Sequence, residues 1–136
     1  MGLIANFQIS GSAISAQSVR LNAVASNLAN AETVAGSEAE AFRARQAVFQ
    51  SYLHDRSRPA EAAVRVSQIV ESEAPVRHRY DPDHPLSNDQ GYVFSSNVDT
   101  VEEMVNMLSS SRSYQNNVEV LNTSKDLVLR TLSMGN

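Results

Sequence analysis

The residues best suited to chemistry stand together at Tyr80-Asp81-Pro82-Asp83-His84-Pro85, with His78 just ahead of them. Carboxylate and imidazole groups are good ligands for Zn or Mn, so Asp81, Asp83 and His84 are a candidate divalent-metal set for a small metal-dependent hydrolase. A catalytic centre needs more than these three. No His-x-x-x-His pair stands in a helical stretch, no Gly-rich phosphate loop follows a strand pattern, and no Ser occupies a Gly-x-Ser-x-Gly elbow. Two prolines around a short acidic turn account for the segment more simply: they stiffen a connection in which Asp side chains accept backbone N–H bonds. The expectation is therefore no catalytic residue, no cofactor and no metal. His54, among arginines, reads as solvated.

The remainder of the chain indicates what carries that turn. It has 136 residues, a net charge of −4, and neither Cys nor Trp. One modest core is all such a length can bury. Without cysteine there is no disulfide framework, thiolate metal site or cysteine nucleophile. Lys125 is the only lysine, and the acidic balance argues against nucleic acid or an anionic membrane as partner. No apolar run exceeds three residues, so no membrane-inserting span and no core of a cleaved signal peptide is expected. If the protein leaves the cytoplasm, another route carries it.

Charge and proline divide the chain at the same places. Residues 1–34 hold one Arg (Arg20) and one acid (Glu32), against a chain average of 19% charged residues. The four prolines, Pro59, Pro75, Pro82 and Pro85, all fall within residues 35–95, leaving 1–34 and 96–136 free to run as long helices. The predicted order is helix, partly extended middle, helix: a mainly α fold.

In the first helix Phe7, Ile14, Leu21 and Leu28 recur every seven residues, with Val24 and Ala31 on companion positions and Gly11, Ser18 and Ala25 alongside. A seam of this period suits a helix lying along another helix. Its other faces carry Ser12, Ser15, Gln17, Asn22, Ser26, Asn27 and Asn30, which can hydrogen-bond to neighbours without the cost of burying an ion. The second pattern runs from about Val98 to Met134, with Met107, Tyr114, Leu121 and Val128 every seven residues, flanked by Val101, Met104, Leu108, Val118 and Leu132. Asp99, Glu102 and Glu103 in its first turns complement the positive helix end. Such a helix is about 50 Å long at about 1.5 Å per residue. Ser109-Ser110-Ser111-Arg112-Ser113 interrupts its apolar seam, as do Gln115, Asn122 and Lys125.

In the middle, Val64, Val66 and Val70, then Val76, His78 and Tyr80, alternate with Arg65, Ser67, Arg77 and Arg79, which predicts short strands with one buried face. They require a further partner, either Phe42–Leu53 or another subunit. Phe42–Leu53 itself reads both ways: Phe42, Phe49, Tyr52 and Leu53 suit a helix, whereas Ala44, Gln46, Val48 and Gln50 suit one face of a strand. Residues Val34–Glu40 and Asp55–Ala62 read as loops.

Two sequence blocks carry a resemblance. Ile9-Ser10-Gly11-Ser12-Ala13, Ala16-Gln17, Arg20-Leu21-Asn22 and Ser26-Asn27-Leu28-Ala29-Asn30-Ala31-Glu32-Thr33 closely resemble the opening helix and Ala-Asn-Ala-x-Thr signature of bacterial flagellar rod and hook axial proteins. Gly91-Tyr92-Val93, Asn97-Val98-Asp99, Glu102-Glu103-Met104-Val105 and Arg112-Ser113-Tyr114-Gln115-x-Asn117 resemble the closing helix of the same family. The turn Tyr80-Asp81-Pro82-x-His84-Pro85 ahead of Gly91-Tyr92 narrows the resemblance to a proximal rod protein. Two departures stand out. Ser96-Asn97-Val98 replaces the family's Pro-Asn-Val, and Phe42-Arg43-Ala44-Arg45 replaces a tyrosine-containing basic segment.

The resemblance implies a structural subunit of the basal-body rod in the periplasmic space. It would be exported through the flagellar type III apparatus without a cleaved signal, and would assemble helically with its own copies and other rod proteins. It also implies that the terminal helices pair as a coiled coil lining the inner tube, with the middle segment outward. Carried over by position, Phe7, Ile14, Leu21, Val24 and Leu28 pack within and between subunits against Met104, Leu108, Tyr114, Val118, Leu121 and Val128. Asn27 and Asn30 hydrogen-bond where the first helix ends. Phe49 with Leu53 fits the Phe-x-x-x-apolar element that such export substrates present. A coiled-coil adaptor or other exported component of a type III system is the alternative reading.

Overall fold

A computed structural model describes residues 2–53 and 62–135. In chain order it contains α1 (Leu3–Ala29), β1 (Val34–Ala35), β2 (Arg45–Leu53), β3 (Ala62–Glu71), β4 (Arg77–Tyr80), β5 (Tyr92–Ser95) and α2 (Thr100–Met134). Two long helices thus flank a β-containing middle in sequence, at the places where proline is absent and present. The chain divides into two compact units: Met1–Leu21, Ala47–Gln68 and Leu108–Asn136 form one, and Asn22–Gln46 with Ile69–Met107 the other.

β5 lies between β1 and β4 in an antiparallel three-stranded sheet, and β2 and β3 make a separate two-stranded sheet. The ambiguous stretch therefore becomes strand from Arg45 to Leu53, completing a ribbon with the alternating valines of β3. The loop expected at Val34–Glu40 contains β1, whose Val34 and Ala35 stand opposite Ser95 and Phe94. Two residues are too short to carry an alternating pattern, and β5 supplies their pairing. The loop expected at Asp55–Ala62 and the solvated His54 lie outside the described residues, apart from Ala62, which opens β3.

For β4 the alternation has the right period and the wrong facing. His78 and Tyr80, expected on a buried face, are exposed like the rest of the strand. In the register Arg79 stands opposite Val93 and Tyr80 opposite Tyr92, so buried Val93 belongs to the arginine side. Arg77 Nη2 donates to the Val98 carbonyl from that side at 3.4 Å. His78 and Tyr80 pack instead on Tyr92 at the surface, with ring centroids 5.9 and 5.3 Å away and edge-to-face geometry.

The core of the second unit is small: Ala31, Ala44 and Val98, with Phe42 against them. Helix ends there are closed by side chains. At the end of α1 Asn30 Nδ2 donates to the Ser26 carbonyl at 2.8 Å, and Thr33 Oγ1 donates to the Asn30 carbonyl at 2.7 Å. At the start of α2 Asp99 Oδ1 accepts the N–H groups of Val101 and Glu102 at 2.9 and 3.2 Å. An aspartate N-cap of this geometry satisfies orphan donors of the first turn and meets the positive helix end. Asp99→Ala is expected to lower stability by about 1 kcal/mol while Asp99→Asn changes it by much less. Urea melts followed by far-UV circular dichroism check this, and equal losses in the two variants would refute the capping role.

Candidate assembly site

Among the described residues, one densely bonded place is built from amides. Asn27, 0% exposed, lies in the last turns of α1. Its Oδ1 accepts the Arg45 N–H at 2.8 Å, and its Nδ2 donates to the Arg45 carbonyl at 2.9 Å and to Glu103 Oε2 at 3.1 Å. The side chain thus pairs with the backbone of one residue as a neighbouring strand would, and its second amide hydrogen meets a buried carboxylate. Asn97 repeats the arrangement one residue earlier in the clamped segment: its Oδ1 accepts the Ala44 N–H at 2.7 Å, and its Nδ2 donates to the Ala74 carbonyl at 2.8 Å. Arg43 Nη1 donates to the same Ala74 carbonyl at 3.1 Å, and the Ser72 N–H donates to the Ala44 carbonyl at 2.7 Å. Residues 43–45 are therefore gripped by the end of α1, by Asn97 ahead of α2 and by the chain after β3. Glu103, read from sequence as a first-turn charge, points inward and is buried, because Asn27 offers it a donor. In the departing triplet Ser96 is buried and its Oγ accepts the Val98 N–H at 3.0 Å.

The Tyr80–Pro85 turn is organised by its own backbone. Asp81 accepts the Arg79 guanidinium at 3.1 Å through Oδ2, and its carbonyl accepts the His84 N–H at 3.2 Å. His84 Nδ1 accepts the Leu86 N–H at 3.1 Å. Of the metal candidates, Asp81 and His84 thus spend ligating atoms within the turn, and Asp83 is exposed. Among the described residues no group of three His, Cys, Asp or Glu side chains stands where it could hold a metal ion. Pro82 and the Tyr80 ring lie against Gly91, whose φ of +80° lets the Asp81 N–H reach the Gly91 carbonyl at 2.8 Å.

The helix seams are narrower than the apolar pattern predicts. On α1 the buried residues are Ala5, Ser10, Ala16, Ala23, Val24 and Asn27, whereas Phe7, Ile14, Leu21 and Leu28 are half-buried and Ala29 is exposed. On α2 the buried residues are Glu103, Ser110 and Ser124, at sevenfold spacing, with Met107, Tyr114, Val118, Leu121 and Val128 half-buried. The serine run expected to interrupt the α2 seam carries the buried line on through Ser110, since a small side chain permits close approach. Large apolar residues remain outside: Val101, Met104, Val105 and Leu108 are 57–70% exposed, and Leu127, Leu129 and Leu132 are exposed further along. Phe49 and Leu53 stand on β2, also exposed. Among the described residues no helix is long and apolar enough to cross a membrane.

Residues 7–36 match the family model described as flagella basal body rod protein, and residues 89–134 match that described as flagellar basal body rod FlgEFG protein C-terminal. The flagellar basal-body rod proteins FlgC of Escherichia coli O6:H1 and of Salmonella typhimurium are each 50% identical to this chain over 135 residues, covering 99% of both sequences. FlgC of Bacillus subtilis is 34% identical over 144 residues, covering 96% of each. The chain belongs to the FlgC family. It is a structural rod subunit of the flagellar basal body.

The amide clamp joins the two matched stretches of the chain: Asn27 and Asn30 lie in the first, and Gly91, Tyr92, Asn97 and Glu103 in the second. Sequence reading picked out Asn27 and Asn30 by motif. It missed Asn97 and Glu103 as structural partners, because bonds spanning 53 and 76 residues leave no local pattern.

Proposed function

We propose that this rod subunit polymerises helically with its own copies and with other rod proteins into the drive shaft that crosses the periplasm. It works without catalysis, passing torque through packed interfaces. Residues 1–34 and 96–136 act as axial helices paired as a coiled coil, and 35–95 faces outward. Phe7, Ile14, Leu21, Val24, Leu28, Met104, Leu108, Tyr114, Val118, Leu121 and Val128 pack within and between subunits. The chain travels unfolded through the type III export apparatus without a cleaved signal, and Phe49 with Leu53 is the element presented to the export gate.

The observation that carries this reading is the row of large apolar side chains left exposed along α2, beside an α1 almost free of charge. Exposed apolar surface of this kind marks a protein interface. A charge-poor helix can be covered on every side without burying unpaired ions. Deleting the gene in its host is expected to abolish rods and swimming, with both restored by the gene on a plasmid. Normal rods in the deletion strain would end the proposal. Basal bodies isolated without the chain would favour another exported component of the type III system.

A further inference from the structure

We propose that the outer edge of β2 in one copy of this chain adds as a strand to the outer edge of β4 in the next; this rests on the rod reading above. Each edge lies within a single compact unit, 47–53 in the first and 77–80 in the second. β4 has a neighbouring strand, β5, on one side only. Tyr92, opposite Tyr80 in the register, turns both of its backbone groups to Asn88: its N–H donates to Asn88 Oδ1 and its carbonyl accepts the Asn88 N–H, each at 2.9 Å. The Tyr80–Tyr92 pair therefore exchanges no ladder bonds. The N–H and carbonyl of Tyr80 point away from β5, and so do those of His78 two residues earlier. Both residues are exposed, and these backbone groups have no partner among the described residues.

The ribbon has a matching opening. The Ala44 carbonyl faces the β3 side, where it accepts the Ser72 N–H. Both backbone groups of Arg45 face the other way, and there the Asn27 amide fills the first rung of an added strand. By alternation the backbone groups of Phe49, Ser51 and Leu53 turn outward on that same side, unpaired among the described residues. On β3, by contrast, the Val64 N–H already donates to Ser12 Oγ at 3.2 Å. Residues 47–53 contain no charge, glycine or proline, and from Val48 onward all are exposed. An apolar, uncharged edge of this length is a template for another strand.

Charge and register select the pairing. If β4 met its own copy with all its open groups bonded, Arg79 would stand directly opposite Arg79, which is repulsive. β2 against β2 meets no such penalty, but it closes a two-fold dimer, leaves β4 bare and cannot extend a rod. Antiparallel pairing of β4 with β2 bonds all the open groups of β4 when His78 stands opposite Ser51 and Tyr80 opposite Phe49. That register adds an aromatic pair beside Tyr92 and sets Arg79 and Arg77 opposite Gln50 and Tyr52, both uncharged. The arginines keep the partners they have in their own chain, Asp81 Oδ2 and the Val98 carbonyl.

The test uses edge variants and cross-linking in host cells making the full chain. Ser51→Pro removes an outward N–H and no bond to β3, whereas Ser51→Lys keeps the N–H and puts a charge on the edge. Each is expected to lower the amount recovered in basal bodies by about tenfold or more, with the far-UV circular dichroism of the purified chain unchanged. The parent has no cysteine. Gln50 and Arg79 fall on a closely spaced pair, about 4.5 Å between Cα atoms, which suits a disulfide. Cells making one chain with Gln50→Cys and a second with Arg79→Cys are expected to yield a linked dimer in isolated basal bodies, and cells making either chain alone none. A dimer from Gln50→Cys alone would mean that β2 meets its own kind, and one from Arg79→Cys alone that β4 does; either would overturn the proposal. So would parental recovery of Ser51→Pro and Ser51→Lys. With the parent chain present in basal bodies, absence of the mixed dimer would overturn the strand pairing and leave the rod reading standing. Absence of the parent chain from basal bodies would overturn the rod reading itself.

Discussion

Asn27→Ala is expected to destabilise the unit around it by about 3–5 kcal/mol, a large part of the about 5–15 kcal/mol available to a domain. Three bonds vanish together. Glu103 Oε2 loses its donor while the carboxylate stays buried, and the Arg45 N–H and carbonyl lose their partner. A hydrogen bond to a charged group contributes about 1.5–3 kcal/mol, and leaving a buried carboxylate uncompensated costs more than the bond was worth. Two further variants separate shape from charge. Asn27→Asp keeps the size but turns a carboxylate oxygen toward Glu103, where Nδ2 now stands 3.1 Å away, so it is expected to be at least as damaging. Glu103→Gln keeps an acceptor in place and is expected to cost about 1 kcal/mol or less, because the buried charge disappears with it. Urea unfolding gives the free energies, and exchange of the Arg45 amide reports the clamp directly. A loss of under about 0.5 kcal/mol in Asn27→Ala would show that the bonds are replaced by solvent and that the clamp is not structural.

The contrast between this clamp and the helices shows where sequence is informative. α1 and α2 are legible because proline is confined to residues 59–85 and because apolar groups recur every seven residues on both sides of it. Such patterns are local, repeated and cheap to read. The period of β3 and β4 is legible for the same reason, yet the facing of β4 is not. Alternation separates two faces without saying which one meets the core, and His78 and Tyr80 have each other and Tyr92 as company at the surface. β5 carried a signal that was available and unused: Tyr92-Val93-Phe94 directly after Gly91 is a strand pattern with a turn before it. The amide clamp carried almost none. Asn27 and Glu103 are 76 residues apart, and an isolated Asn or Glu is ordinarily solvated. The helix seams show a subtler limit. Apolar periodicity tells which residues gain from burial, but a subunit of an assembly spreads that burial between its own core and its neighbours. Val101 and Leu108 follow the pattern while standing exposed, and Ser110 and Ser124 are buried against it.

Gly91→Ala is expected to be the other severe substitution, for two reasons that can be separated. The first is backbone: φ of +80° is a left-handed conformation that costs an L-residue about 1–2 kcal/mol. It cannot relax freely, because the Gly91 N–H donates to the Asn88 carbonyl at 2.9 Å and its own carbonyl accepts the Asp81 N–H at 2.8 Å. The second is space. A Cβ at this position would lie 2.8 Å from Cε2 of Tyr80 and 3.2 Å from Cβ of Pro82. The Tyr80 ring covers the bare glycine while packing edge-to-face on Tyr92, and it has to shift to clear a methyl group. The two contributions together give about 2–4 kcal/mol for Gly91→Ala. In a Tyr80→Ala background the ring is gone, and the same substitution is expected to cost only the backbone part, about 1–2 kcal/mol. A double-mutant cycle therefore returns a coupling between Gly91 and Tyr80 equal to the steric share. The chain has four tyrosines and no tryptophan, so near-UV circular dichroism supplies an independent reading of whether the Tyr80–Tyr92 pair survives in Gly91→Ala. Equal costs in the two backgrounds would show that the ring yields freely and that φ alone demands glycine. A neutral Gly91→Ala would show that the turn adopts another conformation altogether, and the bonds from Asp81 and Asn88 would fall with it.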